Sequence, residues 1–131
     1  MPKIRHIAYR ATDVEAMTDF FVKGLGLTVA HRQPNGVINL SDGTINVTVL
    51  PMRSTRADGK PASPGIEHIG FTVEDGDEAR RRLEAVGAKE ATTDFTANFE
   101  VKFEGPDGII VDLGHWVGST PLEAAVSGTA S

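Results

Sequence analysis

The chain has 131 residues, 40% of them hydrophobic, and a formal net charge of −5. This length suits one compact domain, and the apolar fraction is higher than that of disordered chains. No stretch has the about 18 consecutive apolar residues of a membrane-spanning helix, and the absence of cysteine excludes disulfides and thiolate metal sites. The acidic balance argues against nucleic acid or an anionic membrane as the partner. We therefore expect a cytoplasmic domain.

A repeated segment organises the chain. Residues 4–9, Ile-Arg-His-Ile-Ala-Tyr, recur as residues 66–71, Ile-Glu-His-Ile-Gly-Phe. Each copy alternates as a half-buried strand does, and helical spacing and short β-like runs follow it. Two copies are too few for a solenoid but sufficient for a pseudo-twofold domain. The predicted fold class is α+β, with two tandem βαβββ modules that form a cupped mixed sheet with helices on its outer face.

The predicted elements follow the same order in both modules. After the first strand, Thr12 is expected to cap a helix and Glu15 to reach back to it; in the second module Asp75 is the expected cap. The later strands are predicted over 27–33, 36–40, 44–50, 89–92, 98–104 and 109–114. We expect a single domain over 1–117, with module one at 3–51, a linker at 52–65 and module two at 66–117. The tail, 118–131, is expected to be flexible.

The strand alternation separates an apolar face from a polar one. The apolar face should pack under the helices; it comprises Ile7, Tyr9, Ile45, Val47, Val49, Ile69, Phe71, Ile109, Val111 and Leu113. The opposite face is small and polar; it comprises His6, Ala8, Arg10, Asn46, Thr48, His68, Gly70, Thr72, Asp112 and Gly114. A face open to water would be expected to carry more Lys and Glu, and fewer Ala and Gly. The polar face is therefore expected to line a cavity.

Two histidines and a carboxylate share this polar face. Imidazole and carboxylate are ligands that Fe(II), Mn(II), Zn(II), Ni(II) and Co(II) all accept, so the residue types do not choose among these metals. A 2-His-1-carboxylate set leaves open positions for substrate and for water or dioxygen. His6, His68 and Asp112 are therefore the candidate metal ligands. The prediction depends on the repeat and on strand parity, since no local spacing motif joins them.

The sequence resembles the vicinal oxygen chelate superfamily, which includes glyoxalase I, bleomycin-resistance proteins, methylmalonyl-CoA epimerase and type I extradiol dioxygenases. The matching features are the two Ile-x-His-Ile strands, the turn at 24–27 and the Gly-Pro-Asp-Gly turn at 105–108 that leads into the strand of Asp112. The resemblance covers roughly residues 3–117. It implies paired βαβββ modules that form an open cup, with ligands on the first and last strands of each module.

Carried over residue by residue, the resemblance implies metal ligation by His6, His68 and Asp112. The fourth family position falls at Asn46 or Thr48, where glyoxalase-like and epimerase-like members have Glu or Gln. The remaining three-ligand set is that of the extradiol dioxygenases. The resemblance therefore implies oxygenase chemistry with Fe(II) or Mn(II), and Zn(II) or Ni(II) are alternatives; lyase or isomerase chemistry ranks second.

Several further residues are candidates for substrate contact. His115 and Arg10 are the candidate catalytic residues, with Arg10 suited to an anionic substrate oxygen. Asn46, Thr48 and Trp116 are the candidate substrate-binding residues, since Trp116 could stack on an aromatic ring. The competing hypothesis is a metal-free protein that sequesters a ligand or drug in the cup. In both cases the partner is a small molecule, and the open sheet edges favour a homodimer.

Overall fold

The computed structural model describes residues 2–52, 63–91 and 101–114. Within these ranges the chain forms one eight-stranded mixed sheet and two α-helices, which confirms the predicted α+β class. The strands are β1 Lys3–Ala11, β2 Thr28–Arg32, β3 Ile38–Ser41, β4 Asn46–Pro51, β5 Gly65–Thr72, β6 Lys89–Ala91, β7 Val101–Glu104 and β8 Ile110–Gly114. The helices are α1, Val14–Asp19, which continues as a π-helical turn over Phe20–Gly24, and α2, Gly76–Ala85.

The strand order is β2-β3-β4-β1-β5-β8-β7-β6, which reads symmetrically outward from its centre. β1 and β5 are antiparallel neighbours, and each pairs on its other side with a parallel strand, β4 or β8. The first and last strands of each half therefore lie together in the middle of the sheet. In the part of the chain that the structure describes, no helix is long and apolar enough to cross a membrane.

Both α-helices begin at an aspartate in extended conformation. The Oδ1 atom of Asp75 accepts the backbone N–H of Glu78 at 3.0 Å, which confirms the predicted cap of α2. The prediction that Thr12 caps α1 is wrong, because Asp13 accepts the N–H of Ala16 at 3.0 Å. β1 runs as far as Ala11 and the first helical residue is Val14, so Asp13 occupies the cap position. Thr12 lies one residue before the cap, which is too early to reach an unpaired N–H of the helix.

Each helix covers the apolar face of its own half of the sheet. The first apolar cluster joins Tyr9, Val47 and Val49 to Met17 and Phe21. The second cluster places Phe71, Val111 and Leu113 with Ala79 and Leu83, as parity predicts.

Ile109 does not belong to either apolar cluster, contrary to the prediction, because it is 44% exposed at the end of the 3₁₀ turn Pro106–Gly108. Strand β8 begins one residue later, at Ile110, so the alternation does not yet hold at residue 109.

Two register shifts interrupt the central pairing of β1 with β5. Ile4 pairs with Phe71 and His6 with Gly70, so Arg5 is the extra residue on β1. Ala8 pairs with His68 and Tyr9 with Ile66, so Glu67 is the extra residue on β5. A β-bulge disrupts the local alternation and re-aims a side chain. Because the two shifts fall just before the repeated histidines, they bring a charged side chain beside each one.

Candidate metal centre

The two repeated histidines and Asp112 meet on the polar face of the central strands. The Nε2 atoms of His6 and His68 are 3.0 Å apart, and Asp112 Oδ2 lies 3.5 Å from the first and 3.2 Å from the second. All three residues are buried, although 62 residues separate the two histidines. The topology explains this meeting, because His6 pairs with Gly70 across β1 and β5, and Gly70 pairs with Asp112 across β5 and β8.

Their spacing suits a single divalent ion. Ligand atoms held about 2.0–2.2 Å from a metal at tetrahedral or octahedral angles lie about 3.0–3.5 Å from one another. The three measured separations fall in this range, and imidazole with carboxylate is a donor set that several divalent metals accept. The residues therefore fit a bound metal ion in both geometry and chemistry.

A glycine creates the space in which the cluster forms. A Cβ atom at Gly70 would lie 2.6 Å from Asp112 Oδ1 and 2.6 Å from His6 Cε1, distances that real Cβ atoms do not adopt. Gly114 has a similar role for Arg5, since a Cβ there would lie 2.3 Å from Nη1 of the guanidinium. The two glycines thus allow the charged side chains to approach the backbone of β5 and β8.

Asp112 is bound by two buried cations as well as facing the histidines. Arg5 Nη2 donates to Oδ1 at 3.0 Å, and Lys102 Nζ donates to Oδ2 at 3.1 Å. Burial raises the pKa of Asp112, but hydrogen bonds with both histidines and the charge of Lys102 outweigh it, so this pKa lies far below its usual range. Arg5 binds Oδ1, whereas Lys102 binds Oδ2, which is the oxygen that faces both histidines.

The two histidines have pKa shifts of opposite direction despite their equivalent positions. Burial lowers the pKa of His6, and hydrogen bonding to Asp112 does not offset it. Burial also lowers the pKa of His68, but hydrogen bonds with Asp112 and Glu67 outweigh it and leave the pKa raised. The pKa of Glu67 is lowered, because the contact with His68 and the charges of Lys102 and Arg10 exceed the effect of burial. The hydrogen bond with Glu67 thus helps to raise the pKa of His68, whereas the charges of His68 and Arg5 help to lower the pKa of His6.

Strand register distinguishes the two candidates for the fourth position. Asp112 pairs with Gly70 across the parallel strands of the second half, and the repeat relates Gly70 to Ala8. Ala8 pairs with Thr48 across the parallel strands of the first half. Thr48 is thus the counterpart of Asp112, whereas Asn46 lies beside His6 in register. The first half therefore has a hydroxyl where the second has a carboxylate.

A cavity of about 350 Å³ leads to the cluster from one end of β5 and β8. Arg10, Glu67, His68, Glu104 and Ile110 are among its lining residues. Arg10 donates through Nη1 to the carbonyl of Pro51 at 2.8 Å, and its Nη2 atom lies 3.9 Å from Glu67 Oε1. The predicted catalytic residue Arg10 thus lines the cavity that reaches His68. The two remaining candidates, His115 and Trp116, lie outside the described residues.

Three charged residues of this site did not follow from the sequence alone. Arg5 and Glu67 have the parity of the apolar face, and only the bulges bring them to the histidines. Their position in the sequence could have indicated this role, because each directly precedes a repeated histidine. Lys102 is fully buried and pairs with Asp112 across β7 and β8; its signal was a lysine between the apolar residues Val101 and Phe103.

Comparison with solved structures supports the fold. The hypothetical protein BH1468 from Bacillus halodurans C-125 is similar with a TM-score of 0.64 and 15% sequence identity, and the match covers 89% of this chain and 96% of that one. Methylmalonyl-CoA epimerase from Mycobacterium tuberculosis has a TM-score of 0.63 and 16% identity, with 88% of each chain covered. The 2,3-dioxygenase LapB from Pseudomonas sp. KL28 has a TM-score of 0.64 and 19% identity, with 86% of this chain and 40% of that one covered. The chain thus spans well under half of the dioxygenase but most of the other two. Among curated protein sequences, none matches this chain.

The sequence itself matches a family model over nearly the whole described region. The model of the Glyoxalase/Bleomycin resistance protein/Dioxygenase superfamily aligns with residues 3–113, which include all three members of the buried cluster. The match covers both halves of the sheet, from the beginning of β1 almost to the end of β8. The chain therefore belongs to the glyoxalase/bleomycin resistance protein/dioxygenase superfamily.

Proposed function

We propose that this protein is a metal-dependent enzyme that acts on a small substrate through two vicinal oxygens, with extradiol-type dioxygenase chemistry. The observation that carries the proposal is the buried cluster of His6, His68 and Asp112, with Thr48 at the matched fourth position. Two imidazoles and one carboxylate leave three of six coordination positions open, which is the number that a substrate chelated through two oxygens and dioxygen together need.

Fe(II) or Mn(II) is the proposed cofactor, with Zn(II) or Ni(II) as alternatives. A bound Fe(II) or Mn(II) ion would supply Lewis acidity, a template for two substrate oxygens and the one-electron chemistry that dioxygen requires. The protein supplies the three metal ligands and buries them away from water. The cavity of about 350 Å³ that ends at His68 falls within the usual size of small-molecule sites, about 300–1,000 Å³.

Residues of the first half are proposed to bind the substrate. Asn46 is 1% exposed, and its Oδ1 atom has no hydrogen-bond partner among the described residues, so a ligand hydroxyl could satisfy it. Thr48 offers a hydroxyl two residues further along β4. Arg10 lines the cavity and is proposed to bind an anionic substrate oxygen. His115 and Trp116 remain the proposed acid–base and stacking residues.

The direct test is metal analysis of tag-free protein, followed by oxygen uptake. About one Fe(II) or Mn(II) per chain, with oxygen consumed on addition of a catechol from a panel, is the expected result. Turnover of α-keto hemithioacetals without oxygen uptake would indicate lyase chemistry instead. Size-exclusion chromatography with light scattering would test the proposed homodimer.

The second candidate function is metal-free ligand sequestration, which one observation favours. Arg5 and Lys102 already bind both oxygens of Asp112, so the carboxylate is neutralised without a metal ion. Under this hypothesis the cup binds its ligand with equal affinity before and after treatment with a chelator. Less than about 0.1 metal per chain, unchanged by added Fe(II), Mn(II), Ni(II) or Zn(II), would select this function.

A further inference from the structure

The two bulge residues contact the two histidines at the same ring atom but with opposite hydrogen-bonding character. Arg5 and Glu67 are equivalent positions of the repeat, and each directly precedes its histidine. Arg5 Nε donates to Nδ1 of His6 at 3.3 Å, whereas the carboxylate of Glu67 contacts Nδ1 of His68. The same ring position thus faces a donor in one half and an acceptor in the other.

These contacts assign a different state to Nδ1 of each ring. A guanidinium can only donate, so Nδ1 of His6 must be the acceptor, and the proton of the neutral ring lies on Nε2. A carboxylate can only accept, so Nδ1 of His68 carries a proton. The Nε2 atoms of both rings face Oδ2 of Asp112, at 3.5 Å from His6 and 3.2 Å from His68, so the two rings differ at Nδ1.

A metal binds the lone pair of an imidazole nitrogen and not its N–H. A neutral ring that binds a metal through Nε2 therefore needs its remaining proton on Nδ1. Glu67 accepts that proton in His68, whereas Arg5 donates to the atom of His6 on which it would have to lie.

We infer that Arg5 and Glu67 are positioning residues with opposite effects on metal affinity: Glu67 favours the Nδ1-protonated ring of His68, which coordinates through Nε2, and Arg5 disfavours the same form of His6. The inference rests on the metal-binding part of the proposed function. A carboxylate behind a ligating histidine fixes its tautomer and increases its basicity. A guanidinium at the same place does the reverse, and the proton on Nε2 cannot move to Nδ1 while Arg5 donates there.

Co²⁺ titrations of Arg5→Met and Glu67→Gln test the opposite signs. Glu67→Gln should weaken Co²⁺ binding about 10–100-fold, the usual effect of losing such a partner. Arg5→Met should tighten it by about tenfold or more, the usual effect of removing one hydrogen bond from a charged group. Glu104→Gln is the matched control for the first variant, since Glu104 lines the same cavity but has no described contact with either histidine.

Lys102→Met is the matched control for Arg5, because both residues bind Asp112 and Arg5 also donates to Nδ1 of His6. Both variants should tighten Co²⁺ binding by freeing the carboxylate. Imidazole ¹⁵N chemical shifts of the metal-free protein then separate the two effects. The wild type should show Nδ1 unprotonated in His6 and protonated in His68, Lys102→Met should preserve this difference, and Arg5→Met should change the state of Nδ1 in His6 alone.

Two results would overturn the inference: the same protonation state of Nδ1 in both histidines of the wild type, or metal affinity that shifts in the same direction in Arg5→Met and Glu67→Gln. The wild-type spectrum decides the first point even where a variant does not fold. Metal binding with these opposite shifts but without oxygen uptake would refute the proposed oxygenase and leave the inference standing. A wild type that binds no Co²⁺ would refute the metal-dependent function and the affinity effect together, while the tautomers are still measured.

Discussion

The two halves of the sheet have the same strand order and share the repeated histidines, but they differ at three matched positions around the cluster. The first half has Arg5, Ala8 and Thr48 where the second has Glu67, Gly70 and Asp112. The second half therefore contributes the carboxylate ligand, the space for it and the acceptor behind His68, and the first half contributes one imidazole. The comparison shows that a duplicated fold can keep its backbone while its two copies diverge in chemistry.

The helices differ between the halves as well. Among the described residues, α1 packs on β3 and β4 over a cluster with four buried and eight partly buried hydrophobic residues. α2 has no buried residue, and it lines a cavity of about 560 Å³ together with Phe71, Val111 and Leu113. Within the described ranges, the half that carries more of the metal chemistry is thus packed less closely on its apolar face.

His68→Ala should have the largest effect. This change removes His68, one of the three proposed metal ligands, so the affinity for Co²⁺ or Mn²⁺ should fall by more than about hundredfold. Loss of a residue that only hydrogen-bonds to a ligand usually weakens metal binding by about 10–100-fold. Calorimetric titration measures it, with His31→Ala on β2 as the control. Stoichiometric metal retained by His68→Ala would contradict the assigned ligand set. Circular dichroism would confirm that the variant is folded.

Gly70→Ala tests the difference in space between the halves. The added Cβ would meet Asp112 and His6 at 2.6 Å, so we expect a loss of about 1–3 kcal/mol in the free energy of unfolding, together with weaker metal binding. The reverse change at the matched position, Ala8→Gly, should cost about 0.5–1 kcal/mol. Urea unfolding measures both. An unchanged Gly70→Ala protein would show that the cluster is not as tightly packed as described.

Thr48→Glu tests whether the first half can be made to resemble the second. Thr48 is the register counterpart of Asp112, so a carboxylate there should approach the metal and add a fourth ligand. We expect metal affinity to rise by about tenfold, the scale of one added charged contact. Oxygen uptake with catechols should fall, since one open position is lost. Asp42→Glu, on the exposed turn, is the control, and no gain in affinity would place residue 48 outside the site.

Asp42→Asn should have the smallest effect. Backbone N–H groups of Ile45 and Thr44 bind the Asp42 carboxylate and lower its pKa. A lowered pKa in the folded state stabilises the protein above the unfolded-state pKa of about 4, and the effect is lost as the pH falls through the folded-state pKa. Wild type should therefore lose stability between about pH 5 and pH 2 more steeply than Asp42→Asn. Thermal melting over this range measures it, and parallel curves would contradict the assignment.

The fold class and the three-donor cluster could be predicted because both follow from the repeat and from period-two alternation. His6, His68 and Asp112 lie on one strand face, and the central strands bring that face together. Arg5 and Glu67 could not be placed, because a bulge is set by backbone pairing and shifts one side chain against its parity. The choice of Thr48 over Asn46 likewise needed the parallel register, which the turn lengths do not determine.

The most direct test of the account is an anomalous diffraction experiment on crystals grown with Mn²⁺. We expect one peak per chain, about 2.0–2.3 Å from Nε2 of His6, Nε2 of His68 and one oxygen of Asp112. A peak elsewhere, or none while Lys102 and Arg5 still bind Asp112, would contradict the metal centre.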